Sequence, residues 1–180
     1  SSQEDIVVGT PIAGRRHADL EKIMGMFVNT LALRNFPQAE QTFTEFLKEV
    51  KERTLEAFEN QDYPFEDLVE QAEVRRDMSR NPLFDVMFMV QNIIQSQKTP
   101  DPQKTGPGEK PHIYKHNTSK FDLTLLMIEA DEKLFFTLEY CTKLFREETI
   151  HRFVTYYKKI IAQVIERPWE KIQKIEILTD

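Results

Sequence analysis

The run Phe84-Asp85-Val86-Met87-Phe88-Met89-Val90 constrains this chain more than any other feature. Phe84, Val86, Phe88 and Val90 fall on one alternating set, and Met87 and Met89 fall on the other. A strand that is apolar on both faces is usually central and covered on both sides. This run therefore predicts a sheet with strands on either side of it and helices packed over it.

The rest of the chain supplies those partners. Ile6-Val7-Val8-Gly9 reads as a short strand ended by Gly9 and Pro11. Ala18 to Met24 predicts a short helix stopped by Gly25, and Met26 to Arg34 predicts a second strand ended by Pro37. Thr42 with Glu45 three residues later is the pattern of a capping box, the firmest helix start in the sequence. Phe43, Phe46, Leu47, Val50, Ala57 and Phe58 continue from it at helical spacing to about Asn60. Pro64 suits the first turn of a shorter helix, with Phe65, Leu68, Val69 and Ala72 on one face. Phe121 to Ala130 and Leu134 to Tyr140 predict a hairpin turning at Asp131-Glu132-Lys133. A last helix is expected from about Glu147 to Glu166, closed by Pro168. Residues 95–111, with Pro100, Pro102, Pro107, Pro111, Gly106 and Gly108, read as a long mobile connection. Strands alternating with helices imply an α/β fold, a sheet with helices packed on it.

Composition narrows the function. The 180 residues carry a net charge of −6, which argues against a nucleic-acid surface. No apolar run approaches the roughly 20 residues that span a bilayer, so no membrane partner is expected. The single cysteine, Cys141, excludes an internal disulfide and fits a reducing compartment, so a cytoplasmic location is expected. His112 and His116 stand four apart, a spacing that could pair on a metal if helical. They flank the Pro-rich segment with no further His or Cys nearby, and no metal is expected.

Four stretches, in order and at about the family's spacing, resemble the core motifs of condensation domains of nonribosomal peptide synthetases. They are Gly9-Thr10-Pro11-Ile12-Ala13-Gly14-Arg15 followed by Met24-Gly25-Met26-Phe27-Val28-Asn29-Thr30-Leu31; Asn60-Gln61-Asp62-Tyr63-Pro64-Phe65-Glu66; Arg76-Asp77-Met78-Ser79-Arg80-Asn81-Pro82-Leu83-Phe84; and Phe84 to Asn92. The resemblance implies one subdomain of a chloramphenicol acetyltransferase-like fold, a mixed sheet with helices on it. In that family two subdomains face each other across a tunnel, and the catalytic motif, two adjacent histidines followed by Asp-Gly, lies in the N-terminal one. Here His17, His112, His116 and His151 are never adjacent. The expected organisation is a C-terminal subdomain over residues 1–168, with a crossing loop at about 95–118 and a linker to a following domain over 169–180.

No catalytic residue is therefore expected in this chain, and the chain alone is expected to be inactive. The resemblance implies that Arg15 braces the aspartate of the histidine motif across the subdomain interface, and that Asn29, Gln91 and Asn92 line the tunnel wall. Each has a plainer alternative. Arg15 could be a solvated residue beside Arg16, Asn29 could satisfy backbone groups at a strand end, and Gln91-Asn92 could simply end a strand. The Asn60–Pro64 and Arg76–Pro82 motifs read as structural turns. No cofactor is expected to bind directly, because the substrates would ride on the phosphopantetheine arms of carrier domains. The implied partners are the N-terminal half of the domain, peptidyl carrier domains and an adjacent adenylation domain. Half of an epimerization domain and a noncatalytic docking module are the alternatives, the former disfavoured by Met24 to Thr30.

Overall fold

The computed structural model describes residues 4–14, 19, 23–25, 27–72, 80–92, 118–130 and 133–177. In chain order these form β1 (Ile6–Ala13), β2 (Val28–Asn35), α1 (Phe43–Glu59), α2 (Phe65–Gln71), β3 (Val86–Asn92), β4 (Leu123–Ala130), β5 (Lys133–Tyr140) and α3 (Glu147–Glu166). A 3-10 turn, Ile172–Lys174, follows α3. The strands make one mixed sheet in the order β2-β1-β3-β4-β5. β1, β3 and β4 are parallel, while β2 and β5 run antiparallel to their neighbours. The strand with two apolar faces, β3, is the middle one. None of the described helices is long and apolar enough to cross a membrane.

Gly9 and Pro11 do not end the first strand, which continues to Ala13 in unbroken register with β2, Ile6 opposite Asn35 and Ala13 opposite Val28. The β1–β3 pairing is confined to Gly9 opposite Met87. At Pro11 β1 is thus close to a sheet margin on its β3 side, where a residue without an N–H is tolerated. Gly9 is needed for a different reason, since a Cβ there would overlap the Phe84 ring. Phe84 is buried and lies 5.6 Å, centroid to centroid, from both Phe65 and Phe121. This cluster ties α2 to the lead-ins of β3 and β4. Next to it, the Arg80 guanidinium reaches Asp85 at 2.6 Å and Asn81 donates to the Lys120 carbonyl at 3.4 Å. These two contacts make Arg80 and Asn81, the described polar residues of the third motif, a brace at the entry to β3.

The capping box forms as the sequence predicts. Thr42 Oγ1 accepts from the Glu45 N–H and the Glu45 carboxylate accepts from the Thr42 N–H. The next two free donors of α1 go to the far end of the chain. The Phe43 N–H donates to the Glu170 carbonyl at 3.2 Å and the Thr44 N–H to the Pro168 carbonyl at 3.0 Å. The Ile172 N–H donates to the Gln41 carbonyl, and Glu40 accepts from both Lys171 and Gln173. Residues 168–173, most of them expected to be linker, are in this way docked along the start of α1 and satisfy donors that every helix N-terminus leaves open.

The described core is thin. Ile12, Leu31, Phe84, Met87, Ile150 and Val164 are its buried apolar side chains. α1 packs against β2. α3 stands over β4 and β5, with Tyr157 edge-on to Phe136 at 5.7 Å and a cavity of about 690 Å³ between helix and sheet.

Candidate functional site

Because β1, β3 and β4 are parallel and β2 is antiparallel, one margin of the sheet gathers the end of β1, the start of β2 and the end of β3. Asn29 is the second residue of β2, and Gln91 and Asn92 are the last two of β3. Three of the four residues singled out in the sequence thus converge at one margin. Open α/β sheets bind their ligands at such carboxyl ends of strands. Arg15 follows β1 by two residues in sequence and lies outside the described residues, as does the crossing loop expected at about 95–118 except for Thr118. The expected short helix at Ala18 to Met24 and the stretch Arg76 to Ser79 likewise fall largely or wholly outside them.

Both donors of the Asn29 amide are engaged. Its Nδ2 donates to the Gln61 carbonyl at 2.9 Å and to the Tyr63 carbonyl at 2.8 Å, and its Oδ1 accepts from the Thr30 N–H at 2.8 Å. The Asn29-Thr30 motif and the Asn60–Pro64 motif are therefore two halves of one structure, in which the asparagine pins the turn between α1 and α2. Its amide has one lone pair left to offer a substrate. The turn is also held from within. Asn60 Nδ2 donates to the Glu56 carbonyl at 2.9 Å, Gln61 Nε2 to the Phe58 carbonyl at 2.7 Å, and the Tyr63 N–H to the Asn60 carbonyl at 3.1 Å.

Gln91 is different. It is exposed and makes no side-chain hydrogen bond to another described residue. A primary amide at that place can both donate to a carbonyl and accept from an amine. Asn92 occupies the final paired position of β3, opposite Glu129, and its side chain is outside the described set. Just beyond β1, the Gly14 N–H donates to the Phe27 carbonyl at 2.5 Å, and a Cβ on Gly14 would crowd that same oxygen. A glycine there lets the two strand ends close up. The Gln61 and Tyr63 carbonyls and the Gly14–Phe27 closure were not foreseen from the sequence. Backbone acceptors have no residue signature, and only the Asn29 amide pointed toward them.

A family model described as a condensation domain matches residues 1–180. Bacitracin synthase 3 of Bacillus licheniformis is 48% identical over 180 residues, an alignment that takes in 100% of this chain and 3% of that synthase. A solved four-domain nonribosomal peptide synthetase, in its holo form with AMP and glycine, superposes with a TM-score of 0.82 at 25% identity, over 100% of this chain and 14% of its own. The first condensation domain of the CDA synthetase is similar in fold, with a TM-score of 0.74 at 18% identity over 98% of this chain and 38% of that one. The chain thus spans a small part of the relative it matches and less than half of a solved single domain.

Proposed function

The chain belongs to the condensation-domain family of nonribosomal peptide synthetases, and on that premise we propose that it forms one wall of the channel in which such a domain joins two carrier-bound substrates. A donor aminoacyl or peptidyl thioester and an acceptor aminoacyl thioester would enter from opposite mouths, each on a phosphopantetheine arm. The acceptor amine would attack the donor carbonyl, the carbon–sulfur bond would break, and the amide would form as the thiol leaves with a proton. Holding two tethered reactants in line supplies much of the rate of such a step. Among the described side chains on this margin, Gln91 has both donors and its acceptor available to hydrogen-bond the thioester carbonyl or the incoming amine. Arg15 would brace the histidine-bearing part through a bidentate pair with a carboxylate.

The observation that carries this reading is the convergence of Asn29, Gln91 and Asn92 on one sheet margin. The test uses loaded donor and acceptor carriers with a complete condensation domain containing this sequence, and separately with the 180-residue chain. The complete domain is expected to form the dipeptide, the chain alone to give only background. Gln91→Ala in the complete domain is expected to lower turnover without lowering the urea midpoint of unfolding. Condensation by the chain alone, or a Gln91→Ala domain with unchanged turnover, would count against the assignment.

A further inference from the structure

We propose that the outer edge of β5 is a strand-addition site, filled in the complete condensation domain by an extended segment from the part of that domain beyond these 180 residues. β5 is the last strand of the sheet, and among the described residues nothing pairs with its outer edge. It reads Lys-Leu-Phe-Phe-Thr-Leu-Glu-Tyr, with Leu134 and Phe135 each 55% exposed and Phe136 40% exposed. These three neighbours point alternately to both faces of the strand. A protein that leaves such an edge open normally blunts it with prolines, bulges or inward charges. β5 has no proline and pairs with β4 without a bulge from Lys133 to Tyr140.

The groove beside this edge says what the added segment must look like. Phe136 and Leu138 of β5, with Leu123 and Leu125 of β4 and Tyr157 and Ile161 of α3, line the cavity of about 690 Å³. Partial burial in it pushes the Tyr157 hydroxyl above its ordinary pKa. The opposite face of β5 carries Lys133, Phe135, Thr137 and Glu139. A matching strand is apolar toward α3 and mixed in polarity on its other side, and its main chain supplies the pairing while the alternate side chains fill the groove. The occupant follows from size. This chain matches 38% of the length of a solved single condensation domain. The larger remainder of such a domain has to pack against it, and an apolar edge left unpaired among the described residues, with a groove under the adjoining helix, is the surface prepared for that. The inference rests on family membership and does not depend on the channel reading.

The experiment uses the complete domain, with a photoreactive benzophenone in place of the Phe135 ring and residue-resolved hydrogen exchange of 133–140 in the unsubstituted protein. In an antiparallel pair alternate amides bond inward to the partner, and the others point to the open edge. The expected result is that inward and outward amides of β5 both exchange at least about 100-fold slower than an unstructured chain, with the crosslink mapping outside residues 1–180. Outward amides exchanging at the unstructured rate would overturn the proposal. So would a crosslink within residues 1–180, which makes this chain its own cover, and so would a crosslinked dimer, which makes the cover a second copy.

Discussion

Asn29→Ala removes three hydrogen bonds at once, and their setting fixes the expected cost. The bond to the Gln61 carbonyl and the bond from the Thr30 N–H are partly buried, whereas the bond to the Tyr63 carbonyl is exposed and water can replace it. At about 1 kcal/mol for each bond that water does not restore, the loss is about 2 kcal/mol. In a domain of this size that lowers the melting temperature by about 4–8 °C. Urea unfolding followed by circular dichroism should show a lower midpoint with an unchanged slope. Asn29→Asp sharpens the test. It keeps an acceptor for the Thr30 N–H but sets a carboxylate against two carbonyls, so it should cost at least as much as alanine. A loss under about 0.5 kcal/mol for alanine, or an aspartate milder than alanine, would refute the view that this side chain holds the turn. Lost turnover with stability intact would instead return Asn29 to the channel wall.

Gly9→Ala should destabilise by about 1–3 kcal/mol, since the new methyl group would have to displace the buried Phe84 ring; an unchanged urea midpoint would refute this. Arg15→Ala should change the stability of this chain by less than about 0.5 kcal/mol. In a complete domain it should inactivate, or destabilise by up to about 3–5 kcal/mol if the pair is buried, and small equal effects in both would remove the brace. Hydrogen bonds from Arg34, Lys171 and Thr42 hold the carboxyls of Asp5, Glu40 and Glu45 below the usual carboxylate range. Their contribution is present above the unfolded carboxylate pKa of about 4 and is lost as pH falls through the lower folded values. The urea midpoint should therefore drop below about pH 4, and by less in Glu40→Gln; a midpoint that is level from pH 5 to 3 would contradict this.

What could be read from the sequence follows how local the cause is. The capping box at Thr42 and Glu45 spans four residues, and α1 begins where that pattern says. Val86 to Val90 carried its central place in the sheet in its own alternation, and α3 runs from Glu147 to Glu166 as its apolar spacing indicates. The reading failed where the partner was distant in sequence, or met the residue only through its backbone. Gly9 looked like a terminator because the ring that demands it, Phe84, arrives from seventy-five residues further along. The docked tail was hidden because Phe43 and Thr44 bond to carbonyls, which every residue has. At the candidate site, the convergence of Asn29 and Gln91 needed the parallel pairing of β1 and β3, and nothing in the intervening residues encodes it.

The helix α1 is held at both ends by chain that is remote in sequence. Its first turn is gripped by the carbonyls of Pro168 and Glu170, and the turn that follows its last residue is gripped by the Asn29 amide. Between these grips run 17 residues without glycine or proline, about 25 Å of helix with no place to bend. Such a rod works as a strut. If residues 168–173 are pulled by whatever they are joined to, α1 cannot absorb the displacement within itself and tilts as one piece. The tilt arrives at the strand ends beside Asn29 as leverage on the candidate site.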